Sequence, residues 1–126
     1  MTDDIDDNKI SITFKPAEPC LEKFFGKLEA KVIDIVWEHT PVTIKRVLYF
    51  LNTDSDHEYA YTTIMTVMNR LVKKNILKRI KKGHSFVYEA LISKDDFLDQ
   101  AIDLIIESLH TNYPDFTNKA IKKLKK

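Results

Sequence analysis

One stretch of the 126-residue chain, from Tyr59 to Tyr88, contains seven basic residues and no acidic residue. The bases in this stretch are Arg70, Lys73, Lys74, Lys78, Arg79, Lys81 and Lys82. Clustered cationic side chains attract polyanions, so the chemistry that this stretch indicates is the binding of a polyanion such as a nucleic acid. A basic face that contacts only solvent has the same composition, and charge alone does not separate the two interpretations.

Polar side chains suited to contacting base edges lie within the same stretch. Thr62, Thr66 and Asn69 recur at helical spacing, with Thr63 and Arg70 beside them. They supply hydroxyls, methyl groups and an amide, which are the groups that read base edges in the major groove of DNA. Threonine is a mediocre helix former, and an exposed helix without a binding role would favour Glu, Lys or Gln. The pattern therefore predicts a face that reads DNA.

Other kinds of site find no support in the residue pattern. The four histidines, His39, His57, His84 and His110, form no i,i+4 pair and have no cluster of Cys or carboxylates beside them, so no metal site is expected. The chain has no nucleophile elbow, no phosphate-binding glycine loop and no signature of paired buried carboxylates. We therefore expect no catalytic activity and no cofactor.

Composition also bounds the cellular setting. A single cysteine, Cys20, cannot form an internal disulfide. The acidic N-terminus lacks the apolar core of a secretory signal, and no apolar run approaches the roughly 18 residues of a membrane span. These observations predict a cytoplasmic protein that does not cross a membrane.

Apolar residues at helical spacing predict three helices that carry and support the basic stretch. The first covers about 27–39 and ends where Thr40 precedes Pro41, because the residue before proline avoids helical geometry. Thr43 can cap the second. The third covers about 60–75 and buries a stripe that consists of Ile64, Val67, Met68, Leu71 and Val72.

A basic hairpin follows the third helix. Leu77 to Ile80 and Phe86 to Leu91 are typical of short strands, and Gly83 between them can take the positive φ of a tight turn. Trp37, Phe86 and Tyr88 are predicted to be core residues rather than stacking platforms. Three helices and a hairpin indicate a winged helix-turn-helix, in a chain that is mainly α with a small β-hairpin.

The segment after the hairpin predicts a helix with surplus apolar surface. Ser93 can cap it, and Asp95 and Asp96 lie in its first turn. Its apolar residues are Phe97, Leu98, Ala101, Ile102, Ile105 and Leu109, with Leu104 and Ile106 widening the stripe. A helix packed wholly within its own domain is one interpretation; we favour a partner helix and thus a homodimer, because little chain remains to cover this surface. Pro114 interrupts the segment, and a last short helix follows.

Residues 1–22 differ from the rest of the chain in charge. They hold six acids and two bases, a net charge of −4, and two prolines. We expect a mobile acidic arm with little structure of its own. Alternation of Ile10, Ile12 and Phe14 with polar residues leaves a short added strand open.

Three segments of the chain resemble a known family. KLEAKVIDIVW at 27–37 resembles the LExxVMxxLW opening of the penicillinase repressor family (BlaI/MecI/CopY-like regulators). AYTTIMTVMNRLVKKNIL at 60–77 resembles that family's recognition-helix segment, AYTTVxTxLxRLxxKGxL, and GHSFVYEALIS at 83–93 resembles its wing and exit, GRxFxYxPLVS. The resemblance covers about residues 24–110.

The resemblance implies a dimeric winged-helix transcriptional repressor that reads DNA with its N-terminal domain and dimerises through its C-terminal helices. By position, Thr62, Thr63, Thr66, Asn69 and Arg70 would lie on the recognition helix, and Lys81, Lys82 and His84 on the wing. Thr63 and Thr66 would fit contacts to bases. Phosphate contacts would come from Arg70, Lys73, Lys74, Lys81 and Lys82.

The chain departs from the family pattern at several points. Asn75 stands where the family usually has Gly after the recognition helix, and Asn is the other residue that tolerates a left-handed cap. Ala90 replaces the usual proline before the exit leucine. Relatives that β-lactams induce are cut at an Asn-Phe bond, and copper-responsive relatives carry a cysteine-rich tail; this sequence has neither.

These observations predict an acidic arm at 1–22, a winged-helix DNA-binding domain at 23–92 and a helical dimerisation region at 93–126. The predicted function is repression through binding of a pseudo-palindromic double-stranded DNA operator as a homodimer. Two alternatives stay open. One is a winged helix that binds a protein partner, and the other is a regulator that senses a small ligand between the winged domain and the dimer helices.

Overall fold

The computed structural model describes residues 9–53 and 57–125. The chain divides into two compact units, Met1–Ser93 and Lys94–Lys126. The first unit contains a short 3-10 helix (Cys20–Lys23), helices α1 (Lys27–His39), α2 (Ile44–Thr53) and α3 (Tyr61–Lys73), and strands β1 (Leu77–Lys82) and β2 (Ser85–Ala90). The second contains helices α4 (Lys94–Asn112) and α5 (Pro114–Leu124). The first unit is a winged helix-turn-helix, which confirms the predicted fold class.

Local signals fix the ends of the first two helices where the sequence predicts them. Helix α1 ends at His39, since Thr40 takes an extended conformation with φ −55° and ψ 136° before Pro41. Helix α2 begins directly after Thr43, whose hydroxyl oxygen accepts a hydrogen bond of 3.1 Å from the backbone N–H of Arg46. Trp37 donates its indole N–H to the carbonyl of Ile92 at 2.9 Å.

The turn after α3 uses the residue that replaces glycine. Asn75 has φ +62°, in the left-handed region, and its N–H donates to the carbonyl of Val72 at 3.0 Å. The N–H of Ile76 donates to the carbonyl of Leu71 at 3.1 Å. These two bonds satisfy carbonyls in the last turn of α3. Asn75 therefore closes the helix as the sequence predicts.

Strands β1 and β2 form an antiparallel hairpin, which we call the wing (Leu77–Ala90). Gly83 turns the hairpin with φ +62°, and Lys82 lies opposite Ser85 in the register. Val42 joins β2 through two further backbone hydrogen bonds with Tyr88, of 2.9 and 2.8 Å. The wing is thus tied to the segment that leads into α2.

The core of the first unit lies between the three helices and the base of the wing. Its fully buried residues are Phe25, Val32, Ile33, Val36, Val47, Ile64, Met68, Leu71, Ile76, Leu77 and Tyr88. The stripe predicted for α3 is buried with the exception of Val72, which is half-buried. Helix α3 therefore turns one side to the core and leaves the other side exposed.

Residues 9–22 are not the unstructured arm that the sequence predicts. Ile10 is buried, and the N–H of Ser11 donates to the carbonyl of Lys74 at 3.1 Å. The side-chain amide of Asn75 donates to the carbonyl of Lys9 at 2.8 Å. The acidic composition of residues 1–22 predicts a mobile arm and does not show that Ile10 is buried. The acidic residues at 3, 4, 6 and 7 lie outside the described residues.

A second set of contacts holds the rest of this segment. The Lys15 ammonium donates to the carbonyl of Phe25 at 2.8 Å, and the Lys23 ammonium donates to the carbonyl of Pro16 at 2.6 Å. The rings of Phe14 and Phe24 pack with their centroids 5.6 Å apart. The alternating residues at 10, 12 and 14 form no strand. The backbone of Ser11 makes one hydrogen bond, to Lys74, and a strand would need a ladder of such bonds.

We expect Ile10→Ala to lower the free energy of unfolding by about 2 kcal/mol, because the change removes buried apolar atoms and leaves a cavity beside the end of α3. Chemical denaturation of the full chain measures this. Ser11→Ala is the matched control, since Ser11 is exposed and keeps its backbone hydrogen bond; its effect should stay within about 0.5 kcal/mol. Equal stability of the two variants would show that the segment does not pack in solution.

The second unit begins and ends with recognisable helix signals. Asp95 and Asp96 lie in the first turn of α4, as the sequence predicts. Pro114, which the sequence predicts only as an interruption, occupies the first turn of α5. Phe97 and Ala101 are fully buried within the chain. Within the described residues, no helix has the length and apolar character needed to cross a bilayer.

Candidate nucleic-acid interface

The side of α3 that faces away from the core is an exposed surface without an acidic residue. We call it the outer face of α3; its exposed residues are Tyr61, Thr62, Thr63, Met65, Thr66, Arg70 and Lys73. Thr62, Thr63 and Thr66 thus lie where the sequence predicts. A helix of this kind fits the width of the DNA major groove.

Thr66 presents a particular set of groups on the outer face. Its hydroxyl donates to the carbonyl of Thr62 at 3.0 Å, so its proton is used within the helix. The oxygen lone pairs and the methyl group remain available. Thr66 is therefore suited to accept a hydrogen bond from a base amino group or to contact a thymine methyl.

Asn69 is half-buried, and its side-chain oxygen is engaged within the protein, which the sequence did not predict. Its carbonyl oxygen, Oδ1, accepts a hydrogen bond of 3.0 Å from the hydroxyl of Tyr88 and a longer one of 3.5 Å from the guanidinium of Arg79. The paired contact between an Asn side chain and adenine needs this oxygen as well as the NH₂ group. In this structure, Asn69 connects α3 to the wing.

The bases that follow on α3 divide into two groups. Lys73 is exposed on the outer face. Lys74 instead donates to Oε1 of the buried Glu29 at 2.8 Å, and the guanidinium of Arg70 lies 3.9 Å from Oε2 of the same carboxylate. The charge of Lys74 is therefore already paired on the side of α3 that faces α1, which the sequence did not predict.

The wing carries the remaining predicted cations. Lys81, Lys82 and His84 are exposed around the turn at Gly83, as the sequence predicts. Lys78 lies 3.4 Å from the carboxylate of Glu89 across the hairpin. The wing therefore presents positive charge beside the outer face of α3.

Phe86 and Tyr88 occupy different environments, although the sequence predicts both in the core. Tyr88 is buried, and burial raises the pKa of its hydroxyl above the ordinary value, so the group stays protonated and donates to Asn69. Phe86 is 41% exposed, and the guanidinium of Arg79 lies 4.4 Å from its ring centroid. The prediction is therefore wrong for Phe86, which is covered by a cation rather than by the core.

Lys45, Arg46 and Arg79 are cations near this surface that the predicted site does not include. Lys45 and Arg46 are exposed in the first turn of α2, where the first helix of a helix-turn-helix crosses the DNA backbone. Arg79 was counted in the acid-free stretch but given no role. The cap at Thr43 was the available signal, since it places both α2 bases at a helix start. A cleft lined by Thr43, Lys45, Tyr61, Arg79 and His84, among others, connects α2, α3 and the wing.

The predicted dimerisation residues fall into two classes. Phe97 and Ala101 are buried within the chain, and Leu98 and Ile105 are half-buried. Ile102 and Leu109 are 51% and 50% exposed, and they share a stripe of α4 with the exposed Ile106. The exposed Tyr113 directly follows the end of α4. Phe116 of α5 is 74% exposed. Tyr113 and Phe116, which are not among the predicted dimerisation residues, add to the exposed apolar surface of this unit.

Metal ligands are not gathered anywhere in the described part of the chain: no group of three or more His, Cys, Asp or Glu residues there could hold an ion. Cys20 is exposed and has a free thiol.

Comparison with known proteins gives several relatives. The transcriptional regulator BlaI of Mycobacterium tuberculosis is 36% identical over 74 residues, which are 58% of this chain and 52% of that protein. The penicillinase repressor of Bacillus licheniformis is 31% identical over 71 residues, 56% of this chain and 54% of that protein. In these two comparisons, the matched region spans about half the length of the relative.

A third relative matches over a longer region. The penicillinase repressor of Staphylococcus aureus is 28% identical over 108 residues, 77% of this chain and 84% of that protein. Among solved structures, the DNA-binding domain of the repressor BlaI is 30% identical with a TM-score of 0.49, over 57% of this chain and 85% of that one. The family model described as penicillinase repressor matches residues 25–126. The chain therefore belongs to the penicillinase repressor family.

Proposed function

We propose that this chain is a transcriptional repressor that binds a pseudo-palindromic operator in double-stranded DNA as a homodimer. The observation that carries the proposal is the outer face of α3, where Thr62, Thr63 and Thr66 are exposed on a helix without an acidic residue. Lys73 on the same face and Lys81 and Lys82 on the wing supply the positive charge that DNA phosphates require.

The threonines and the lysines on this surface have different roles in DNA binding. Threonine hydroxyls and methyls discriminate between bases, whereas exposed lysines contact phosphates and give affinity that falls with salt. The first turn of α2 adds Lys45 and Arg46 at the point where a helix-turn-helix meets the backbone. Membership of a repressor family supports the same function.

Dimerisation is supported by the apolar stripe of the second unit. Exposed Ile102, Ile106 and Leu109 lie at i, i+4 and i+7 on α4, a spacing that one helix uses to pack against another. A two-fold dimer presents two recognition helices to half-sites one helical turn, or a multiple of it, apart. A dimer bound at a promoter excludes RNA polymerase because it occupies the DNA that polymerase needs. The protein acts in the cytoplasm, where the DNA is.

Selection of genomic DNA fragments tests the proposal. Purified protein is mixed with sheared genomic DNA at near-physiological salt, and the retained fragments are sequenced. We expect a few fragments that share an inverted repeat. Retention of all fragments, or of none, would contradict sequence-specific binding and would favour the alternative in which the winged helix binds a protein.

A pair of variants sharpens the selection. Thr62→Ala with Thr66→Ala removes base-contacting groups and should relax the consensus, at a cost of about 10-fold or more in the ratio of specific to non-specific binding. Lys31→Ala is the control, because Lys31 is exposed on α1 and not on the outer face of α3. It should leave the consensus unchanged.

A further inference from the structure

Three side chains meet where α3 faces the wing. Oδ1 of Asn69 accepts hydrogen bonds from the Tyr88 hydroxyl at 3.0 Å and from the Arg79 guanidinium at 3.5 Å. Arg79 and Tyr88 are directly opposite each other in the hairpin register. Residues opposite each other in an antiparallel pair project from the same face, so both reach the same acceptor on α3.

Tyr88 is the fixed member of this cluster. Its ring is buried, and its backbone N–H and carbonyl both bond to Val42, at 2.8 and 2.9 Å. Val42 immediately precedes the Thr43 cap of α2. Tyr88 therefore connects the start of α2, strand β2 and α3, which are the three elements that present the DNA-binding surface.

Arg79 is the outer member. Its guanidinium lies over the Phe86 ring at 4.4 Å from the centroid, and Phe86 is on the same face of β2 as Tyr88, two residues away. A planar guanidinium stacks on a ring and donates at its edge at the same time, which lysine cannot do. Arg79 thus joins the outer part of the wing, through Phe86, to α3, through Asn69.

We propose that Asn69 and Arg79 are positioning residues that set the orientation of the wing relative to the recognition helix. The inference rests on the proposed DNA-binding function. Asn69 acts through the wing and does not read a base, because its only acceptor oxygen is engaged by Tyr88 and Arg79. Together they hold Lys81, Lys82 and His84 at a defined distance from the threonines of α3.

The first test needs no DNA. Hydrogen exchange of the wing amides is measured in the full chain, in Asn69→Ala and in Arg79→Gln. We expect both substitutions to speed exchange in residues 79–88 by about 5-fold, with no change in α1. Lys78→Gln is the control, since it removes a neighbouring charge that pairs with Glu89 instead. Unchanged wing exchange would overturn the proposal whether or not the protein binds DNA.

The second test is a double-mutant cycle in DNA binding. We expect Asn69→Ala and Arg79→Gln each to weaken operator binding by about 5- to 10-fold, and the double variant to be no weaker than either single variant, because both break one connection. Multiplying effects would mean two separate DNA contacts and would overturn the proposal.

Salt dependence and base preference separate positioning from direct contact. A lost phosphate contact reduces the slope of log affinity against log salt by about one, and a lost base contact relaxes preference at one position. We expect neither from Asn69→Ala or Arg79→Gln. Arg79→Lys keeps the charge but loses the stack and the edge donors, so it should behave as Arg79→Gln does. Wild-type affinity in Arg79→Lys would contradict the positioning role.

Discussion

Replacing Ile102 and Leu109 together by aspartate is expected to make the protein monomeric and to weaken binding to a full operator by about 100-fold or more. Two linked half-sites bind more tightly than one because the second contact is intramolecular, and this gain is typically about 10²- to 10⁴-fold. The variant loses the gain while each recognition helix stays intact. Affinity for an isolated half-site should therefore be unchanged.

The size of the effect follows from the position of the two residues. Both are about half exposed in the single chain, so their substitution leaves the folded monomer without a cavity. In a two-fold interface each residue occurs twice, and burying one Ile or Leu side chain contributes about 1.5–3 kcal/mol. Four carboxylates placed in an apolar contact add a further desolvation cost.

Sedimentation gives the mass, and fluorescence anisotropy gives the affinity for full and half operators. Gln100→Asp is the control: it adds an aspartate at an exposed position on the opposite side of α4. If the variant stays dimeric, the dimer interface does not include this stripe of α4. A monomeric variant that still bound the full operator tightly would remove the role of dimerisation in binding.

The elements of the fold were predictable because their signals are local. The Thr43 cap, the proline after Thr40 and the left-handed position at Asn75 each act within a few residues of the boundary they set. Helical spacing predicted the buried stripe of α3 for the same reason. These signals depend on backbone geometry that the neighbouring residues determine.

The contacts at the candidate site that the sequence did not predict involve partners that are distant in sequence. Asn69 shares the exposed spacing of Thr62 and Thr66, but its acceptor is engaged by side chains 10 and 19 residues later. Alternation places Phe86 beside Tyr88 and does not show that Arg79 covers it. Spacing places Lys74 among the bases, but its partner Glu29 is 45 residues earlier. No periodicity carries that information.

Lys74→Met is expected to lower the free energy of unfolding by about 3 kcal/mol, the largest loss of stability that we predict for a single substitution. The side chain of Glu29 is only 5% exposed, and the Lys74 ammonium is 2.8 Å from its Oε1. No hydrogen-bond donor within the described residues reaches Oε2, and Arg70 approaches it only to 3.9 Å. Without Lys74, the carboxylate is buried with little compensation, which typically costs about 3–5 kcal/mol.

Two factors place the expected loss at the lower end of that range. The Lys74 side chain is 24% exposed, so water screens part of its interaction with Glu29. Arg70 also remains near the carboxylate. Lys73→Met is the matched control, because the neighbouring lysine is exposed on the outer face of α3; its stability should change by less than about 0.5 kcal/mol. Denaturant unfolding of the two variants makes the comparison.

Removal of the Glu29 carboxylate as well shows whether the stability lost in Lys74→Met comes from leaving that charge buried. Glu29→Gln combined with Lys74→Met replaces the buried charge with a neutral amide, so it should regain about half or more of the stability that Lys74→Met loses. Additive losses in the double variant would mean that Lys74 stabilises the fold by packing alone.

The same lysine variants also distinguish a residue that stabilises the fold from one that contacts DNA. Lys73→Met should reduce the salt dependence of DNA binding, whereas the double variant should leave it unchanged, because the charge of Lys74 is committed to the protein interior.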